Sequence, residues 1–156
     1  MISEVVEQIL DAKKKTGIRR QDWQNKTKKV IANALEKAVN ELKIKELGGF
    51  VSSSRVYKNF EAIQLSFGSE PSGIVEEKPN GGLRHFVKKN GYINFAQVVS
   101  GKILVVYTSS CIEEIGENAS QEVKDKVDPI DVTEDWVLGH VEGFLNEYLA
   151  YENEWR

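Results

Sequence analysis

Two short polar segments of this sequence combine an arginine with a second group that can bind an anion. Ser54-Arg55 ends a run of three serines, and Arg84-His85 follows two glycines. A guanidinium beside hydroxyl groups and loop amides can hold a phosphate or a carboxylate. A histidine beside an arginine can bind an anion or carry a proton near neutral pH. We therefore expect these four residues to form a binding site for a small anionic ligand.

A basic segment between residues 13 and 29 supports an alternative function. Asp22 is its only acid, whereas it has eight basic residues: Lys13, Lys14, Lys15, Arg19, Arg20, Lys26, Lys28 and Lys29. A glycine turn between two predicted helices would bring these charges to one corner of the fold. Such a corner could bind nucleic acid through its phosphates, with an affinity that falls steeply as salt rises. Residues 113–156 carry 13 acids against three bases, so the two ends could instead pair with each other.

Signals for catalysis or metal binding are sparse. The sequence lacks a phosphate-binding glycine loop, an HExxH pair, a GxSxG elbow and a calcium loop. Its two histidines are few for a histidine-based metal site, and His140 lies on an apolar helix face where a packed core histidine is expected. We therefore predict no catalytic residue, no metal and no cofactor. An enzyme that uses His85 or a carboxylate as acid or base is the second alternative.

The composition is that of an ordinary globular protein. Its 156 residues are 40% hydrophobic and 29% charged, and this length can bury a core as a single α+β domain over residues 1–156. The single cysteine, Cys111, excludes an internal disulfide and favours a reducing compartment. Glutamates stand where a secretory signal would be basic, and no apolar run approaches the roughly 20 residues of a membrane span. We expect a cytoplasmic protein that does not contact a membrane.

Two N-terminal helices are predicted to position the basic segment. Ser3 can cap the first helix, and Thr16-Gly17 supplies its stop, because glycine tolerates the left-handed conformation found past a helix end. The second helix should run from Arg20 to about Leu47, since apolar residues recur every three or four positions up to Gly48-Gly49.

The strands are predicted from the alternation of apolar and polar residues, over 57–67, 83–89, 92–99 and 102–108. Asn90-Gly91 and Ser100-Gly101 are turn dipeptides, so the last three strands should form an antiparallel meander. The candidates for its inner face are Ile93, Phe95, Val105 and Tyr107. Residues 68–82, with two prolines and four glycines, predict a long loop that is either a lid or a plain connection.

The C-terminal third is predicted to be helical. A short helix should span 110–115 and end at Gly116, another should span Ala119–Val127, and a last one should follow Asp131 or Thr133, which are rival caps. Tyr148, Tyr151 and Trp155 near its end are candidate interface anchors. We expect a homo-oligomer formed through this helix or through a sheet edge.

These elements predict an α+β fold with a mostly antiparallel sheet of about four strands, on which two N-terminal helices and a C-terminal helix pack. The ligand cleft should lie between sheet and helices, near Arg55, Arg84, His85 and the loop over 68–82. The favoured function is that of a small non-enzymatic binding or interaction protein, which recognises a partner protein or a small anionic ligand.

Overall fold

A computed structural model describes residues 1–57 and 60–154 of the chain. The α-helices in these ranges are α1 (Ile2–Asp22), α2 (Lys28–Ile44) and α3 (Glu134–Glu154), and short 3-10 turns span Glu113–Ile115 and Pro129–Asp131. The strands are β1 (Phe50–Tyr57), β2 (Phe60–Ser66), β3 (Ser69–Glu77), β4 (Leu83–Lys89), β5 (Tyr92–Gln97), β6 (Ile103–Thr108) and β7 (Gln121–Val127).

The fold belongs to the α+β class, as predicted, and the paired strands within the described ranges are antiparallel. Five strands form one sheet in the order β1-β2-β5-β6-β7, and β3 pairs with β4 in a separate two-stranded sheet. The predicted number of about four strands is too low, because β1, β3 and β7 have too little apolar alternation to be recognised in the sequence.

The N-terminal region is one continuous helical run rather than two helices separated by a stop. Trp23–Thr27 is a π-helical segment that joins α1 to α2, and the residues that flank it keep right-handed helical angles. The predicted break at Thr16-Gly17 is wrong, because Gly17 does not adopt the left-handed conformation of a helix end. The wider π turn places Trp23, Thr27 and Ile31 together in the buried face of the helix.

The predicted β5–β6 hairpin is confirmed, whereas a hairpin between β4 and β5 is wrong. Gly101 has a φ of 82°, and its amide donates a turn hydrogen bond to the Val98 carbonyl at 2.8 Å. Gly91 is needed for a close backbone approach and not for a turn, since a Cβ there would lie 2.1 Å from the Thr108 carbonyl oxygen. The strand over 83–89 pairs instead with β3, which occupies most of the predicted loop over 68–82.

Further differences concern the ends of the sheet and the last helix. The predicted strand over 57–67 is β2, which follows β1 in a hairpin; residues 58 and 59 lie outside the described residues. The helix predicted over Ala119–Val127 is wrong, because Gln121–Val127 is the edge strand β7. Thr133 rather than Asp131 caps α3, since its hydroxyl accepts a hydrogen bond from the Trp136 amide at 3.1 Å.

The hydrophobic core lies between one face of the five-stranded sheet and the helices α2 and α3. The predicted inner-face residues Ile93, Phe95, Val105 and Tyr107 are buried there, together with residues of both helices such as Leu35, Val137 and Phe144. The Cys111 thiol is buried and free. The helix α1 differs from this arrangement, because none of its residues is buried.

Candidate functional site

A pocket of about 420 Å³ opens between the start of α2 and the β1–β2 hairpin. Ser54 and Arg55, two of the predicted ligand residues, line its sheet side. Lys28 and Lys29, the last two members of the basic segment, line its helix side. The fold thus brings together residues from two segments that the sequence presents as separate candidates.

The β1–β2 pairing fixes the position of Arg55. It stands directly opposite Glu61 in the register of the two strands, and its Nη2 lies 2.7 Å from Glu61 Oε1. Oppositely charged residues in such cross-strand pairs stabilise a sheet modestly. The pairing keeps the exposed Arg55 guanidinium at the edge of the pocket.

Four donors surround the Glu61 carboxylate, whose side chain is only 10% exposed. Trp23 Nε1 donates to Oε2 at 2.8 Å, Gln24 Nε2 lies 3.4 Å from Oε1, and the Lys28 ammonium lies 3.6 Å from Oε2. Burial raises the pKa of Glu61, but the hydrogen bonds from Trp23, Arg55 and Gln24 outweigh it and hold the pKa below its ordinary value. Glu61 is therefore an ionised structural anchor for Arg55 and Lys28.

The pocket carries a net positive charge. Lys28, Lys29 and Arg55 contribute three positive charges, and Glu61 contributes one negative charge. Lys29 forms no ion pair within the described part of the chain, so its ammonium remains available to a ligand. The other residues that line the pocket, Ser53, Ala32, Ala62 and Ile63, carry no charge. Such a surface can bind an anionic head group and contact an apolar body at once.

Arg84 and His85 lie elsewhere, on strand β4 of the two-stranded sheet, and they do not line this pocket. Arg84 pairs with Glu76 at 3.6 Å, and its guanidinium carbon lies 5.3 Å from the centre of the Phe86 ring. His85 is exposed opposite Val75 and makes no hydrogen bond within the described residues. The structure therefore separates the four predicted ligand residues into two pairs.

The basic segment does not form a corner. Arg19 hydrogen-bonds to Asp128 and to the Ser100 carbonyl, while Arg20 donates to the Val99 carbonyl at 2.9 Å. Successive residues of an α-helix are about 100° apart, so the side chains of residues 13–15 point to different sides of α1. Nucleic-acid binding by this segment stays a prediction, with its charges more dispersed than the sequence suggests.

A polar network around His140 is the feature that sequence reasoning misses. His140 Nε2 lies 3.0 Å from Asp125 Oδ2, and its Nδ1 lies 2.9 Å from the Tyr107 hydroxyl. Trp136 Nε1 also donates to Asp125 Oδ2, at 3.1 Å. Burial, aided by the nearby Glu147, raises the pKa of Tyr107 to about 12, so the phenol stays protonated. The network ties α3 to β6 and β7, and it could be foreseen only once β7 is recognised as a strand.

The described residues contain neither a cluster of metal-binding side chains nor a membrane-spanning helix. Within residues 1–57 and 60–154, no group of three or more His, Cys, Asp or Glu side chains is placed to hold a metal ion. None of the described helices combines the length and the apolar composition needed to span a bilayer. Comparison with protein-family models, with curated proteins and with solved structures found no match.

Proposed function

We propose that this protein binds a small organic anion in the pocket between α2 and the β1–β2 hairpin. The observation that carries the proposal is the meeting of Ser54 and Arg55 with Lys28 and Lys29 around one pocket of about 420 Å³. A pocket of this size lies within the range of small-molecule sites, roughly 300–1,000 Å³. Charge-assisted hydrogen bonds from the guanidinium and ammonium groups would supply most of the affinity.

The arrangement of the wall supports one class of ligand. Glu61 holds Arg55 and Lys28 in place and lies deepest among the charged groups, whereas Lys29 and much of Arg55 face solvent. The anionic group would therefore lie at the mouth, and the half-buried Ala32 on the helix side would contact an apolar body. A phosphomonoester or carboxylate attached to a small ring fits this description better than a bare inorganic ion does.

The proposal is binding without a chemical step. Glu61 is the acid of the pocket, and its low pKa and its hydrogen bonds make it a poor proton acceptor near neutral pH. The single cysteine fits a reducing compartment, so the proposal includes a cytoplasmic location.

Isothermal titration calorimetry with phenyl phosphate tests this function, with inorganic phosphate as the comparison. Wild-type protein should bind phenyl phosphate more tightly, and Arg55→Ala and Lys29→Ala should each weaken binding on the order of fivefold, as expected for a lost charge-assisted contact. Arg84→Ala is the matched control and should leave the affinity unchanged. The proposal would be contradicted if the wild type binds phenyl phosphate, Arg84→Ala abolishes that binding and Arg55→Ala leaves it intact.

Protein association through α1 is a second candidate function, favoured by one specific observation. The first turns of α1 expose five large aliphatic side chains: Ile2, Val5, Val6, Ile9 and Leu10. Ile2, Val5, Ile9, Ala12 and Thr16 follow each other at alternating spacings of three and four, the pattern that packs one helix against another. Contiguous apolar surface of this kind marks interaction sites.

The charges along α1 favour a second copy of this chain as the partner. Glu4, Glu7 and Asp11 lie in the first half of α1, on sides of the helix turned away from the stripe, and three lysines follow over residues 13–15. Two antiparallel copies would bring each acidic half beside a basic half, whereas two parallel copies would place like charges together. An antiparallel pair is also isologous, so it closes as a dimer.

The described aromatic residues near the end of α3, which were the predicted interface anchors, make contacts within the chain. The ring of Tyr148 packs edge-on to that of Phe67 with centroids 5.6 Å apart, and the Tyr151 hydroxyl donates to Glu117 at 2.8 Å. Trp155 lies outside the described residues. The apolar stripe of α1 is therefore the better candidate for an oligomer interface.

Native mass spectrometry and light scattering can test the dimer. Wild-type protein should be dimeric, and Ile9→Asp should make it monomeric, because a charge would lie in the centre of the stripe. Ile18→Asp is the control, since Ile18 is exposed on the opposite side of the same helix. A wild-type monomer at high concentration, or equal dissociation by both substitutions, would rule out this interface.

A further inference from the structure

The sheet face that turns away from the helices carries a row of hydrogen-bonding side chains. The strand registers place Ser66 beside Tyr92, Tyr92 beside Thr108, and Thr108 beside Gln121, across β2, β5, β6 and β7. Paired residues of neighbouring antiparallel strands point to the same face, so these four side chains form a continuous line. They line a cleft of about 590 Å³, which Gln64 and Asn90 also line.

Two polar atoms in this cleft are buried and have no partner within the described residues. Thr108 is only 4% exposed, yet its Oγ1 makes no hydrogen bond. Asn90 donates from Nδ2 to the Phe67 carbonyl at 3.3 Å, which fixes the amide and leaves Oδ1 buried without a donor. Buried polar groups are normally hydrogen-bonded, so two unpaired ones at one cleft indicate that something else satisfies them.

The cleft has no net charge, which distinguishes it from the proposed anion pocket between α2 and the β1–β2 hairpin. Its charged side chains, Lys89 and Glu113, pair with each other at 2.8 Å. Burial raises the pKa of the Cys111 thiol, which also lines the cleft, so this group is neutral as well. The remaining donors and acceptors are amides and hydroxyls, and Tyr92 contributes a half-buried aromatic ring.

We propose that this cleft binds a neutral polyhydroxylated ligand of the saccharide class. Hydroxyl groups both donate and accept, so they can donate to Asn90 Oδ1 and complete the bonding of the Thr108 hydroxyl. Gln64 and Gln121 offer further amide groups, and the Tyr92 ring offers a surface for the apolar face of a sugar ring. This site is independent of the anion pocket, with which it shares no residue.

Nuclear magnetic resonance titration of the full chain tests the proposal. The probes are methyl α-D-glucopyranoside, methyl β-D-galactopyranoside and myo-inositol, and at least one should shift the backbone amides of residues 64–66, 90–92 and 108–109. Thr108→Val preserves the shape of the side chain and should weaken that binding on the order of fivefold, as for one lost hydrogen bond. Asn94→Ala, on the same face but outside the cleft, should bind like the wild type, and so should Arg55→Ala.

Three outcomes would overturn the proposal. In the first, none of the neutral probes shifts these amides at millimolar concentration, which would leave ordered water as the partner of the two unpaired atoms. In the second, phenyl phosphate shifts them more than any neutral probe does. In the third, Thr108→Val binds as tightly as the wild type. Failure of the saccharide proposal would leave the proposed anion pocket untouched, because the effect of Arg55→Ala on phenyl phosphate binding tests that pocket separately.

Discussion

Arg55 and Glu61 face each other across the β1–β2 hairpin, with 2.7 Å between a guanidinium nitrogen and a carboxylate oxygen. Glu61 also accepts a hydrogen bond from Trp23, so one acid connects the hairpin to the π-helical turn between α1 and α2. This acid sets two properties of the neighbouring pocket: it holds the arginine in place, and it cancels one of three positive charges. The two properties can be separated by substitution.

The first prediction concerns Glu61→Gln, which removes the negative charge but keeps an oxygen acceptor. The pocket would gain one net positive charge, so phenyl phosphate should bind more tightly, on the order of fivefold, since a unit charge near a protein surface contributes about 1 kcal/mol. Arg55→Ala should act in the opposite direction. Titration calorimetry measures both, and weaker binding by a well-folded Glu61→Gln variant would contradict the electrostatic account.

The second prediction is a pH dependence that comes from Asp125. The hydrogen bond from His140 lowers the pKa of Asp125, and hydrogen bonds from the Lys126 amide and Trp136 lower it further, against the raising effect of burial. A folded-state pKa below the unfolded value of about 3.9 stabilises the fold above that pH, and this contribution is lost as the pH falls through the folded pKa.

Chemical denaturation of wild type and Asp125→Asn at several pH values measures that contribution. Near neutral pH the variant should be less stable by about 1–2 kcal/mol, the cost of weakening a partly buried charged hydrogen bond. Toward acid the two free energies of unfolding should converge, because the wild type then loses its ionised carboxylate. A difference that stays constant down to the acid limit would show that Asp125 acts through packing alone.

The third prediction compares two glycines of α3. A Cβ at Gly143 would lie 2.8 Å from the Tyr107 hydroxyl, which hydrogen-bonds both His140 Nδ1 and the His140 carbonyl. Gly143→Ala should therefore cost about 1–3 kcal/mol by displacing that hydroxyl. A Cβ at Gly139 would extend into open space, with no contact within 4 Å, so Gly139→Ala should stabilise the helix by up to about 1 kcal/mol. Thermal unfolding of the two variants should move in opposite directions.

The fourth prediction compares two buried threonines. Thr27 donates its hydroxyl proton to the Pro129 carbonyl at 2.9 Å, whereas the Thr108 hydroxyl has no partner within the described residues. Thr27→Val should lower the free energy of unfolding by about 1 kcal/mol, and Thr108→Val should leave it unchanged or raise it. A large loss of stability for Thr108→Val would mean that an ordered water already satisfies this hydroxyl.

The fold class and the inner face of the sheet follow from the sequence because they depend on apolar periodicity. Ile93, Phe95, Val105 and Tyr107 alternate with polar or less buried neighbours, and burial of one sheet face enforces that alternation. Ser100-Gly101 is likewise a true turn, since Gly101 needs its positive φ. At these positions the conformation that the local sequence favours is also the one that the fold adopts.

The misjudged elements are those where tertiary contacts override the local signal. Gly91 resembles a turn residue, but it is needed where the chain passes close to the Thr108 carbonyl. Gly17 resembles a helix stop, yet it keeps a negative φ and the helix runs through it to the π-helical turn at Trp23–Thr27. β3 and β7 expose most of their residues, so they lack the apolar alternation by which a strand is recognised.

In the candidate site, too, the residue types can be recognised in the sequence, whereas their arrangement depends on tertiary contacts. Arg55 can be proposed from its type and its neighbours, but its partner Glu61 belongs to a hairpin that the serine-rich sequence of β1 conceals. Lys28 and Lys29 are visible as charges, whereas their position beside Arg55 and Glu61 depends on how α2 lies on the sheet. Arg84-His85 has the same kind of anion-binding sequence as Ser54-Arg55. Only the strand pairing shows that the two pairs of residues lie in different parts of the fold.

The most direct test of the central claim is a map of backbone amide shifts in the wild-type protein during titration with phenyl phosphate. If the ligand binds in the pocket between α2 and the β1–β2 hairpin, the shifts should concentrate on residues 28–32, 53–55 and 61–63, saturate with increasing ligand and decline as salt is added. Shifts that concentrate on residues 84 and 85, or that stay linear and scattered over all the lysines, would contradict a binding pocket between α2 and the β1–β2 hairpin.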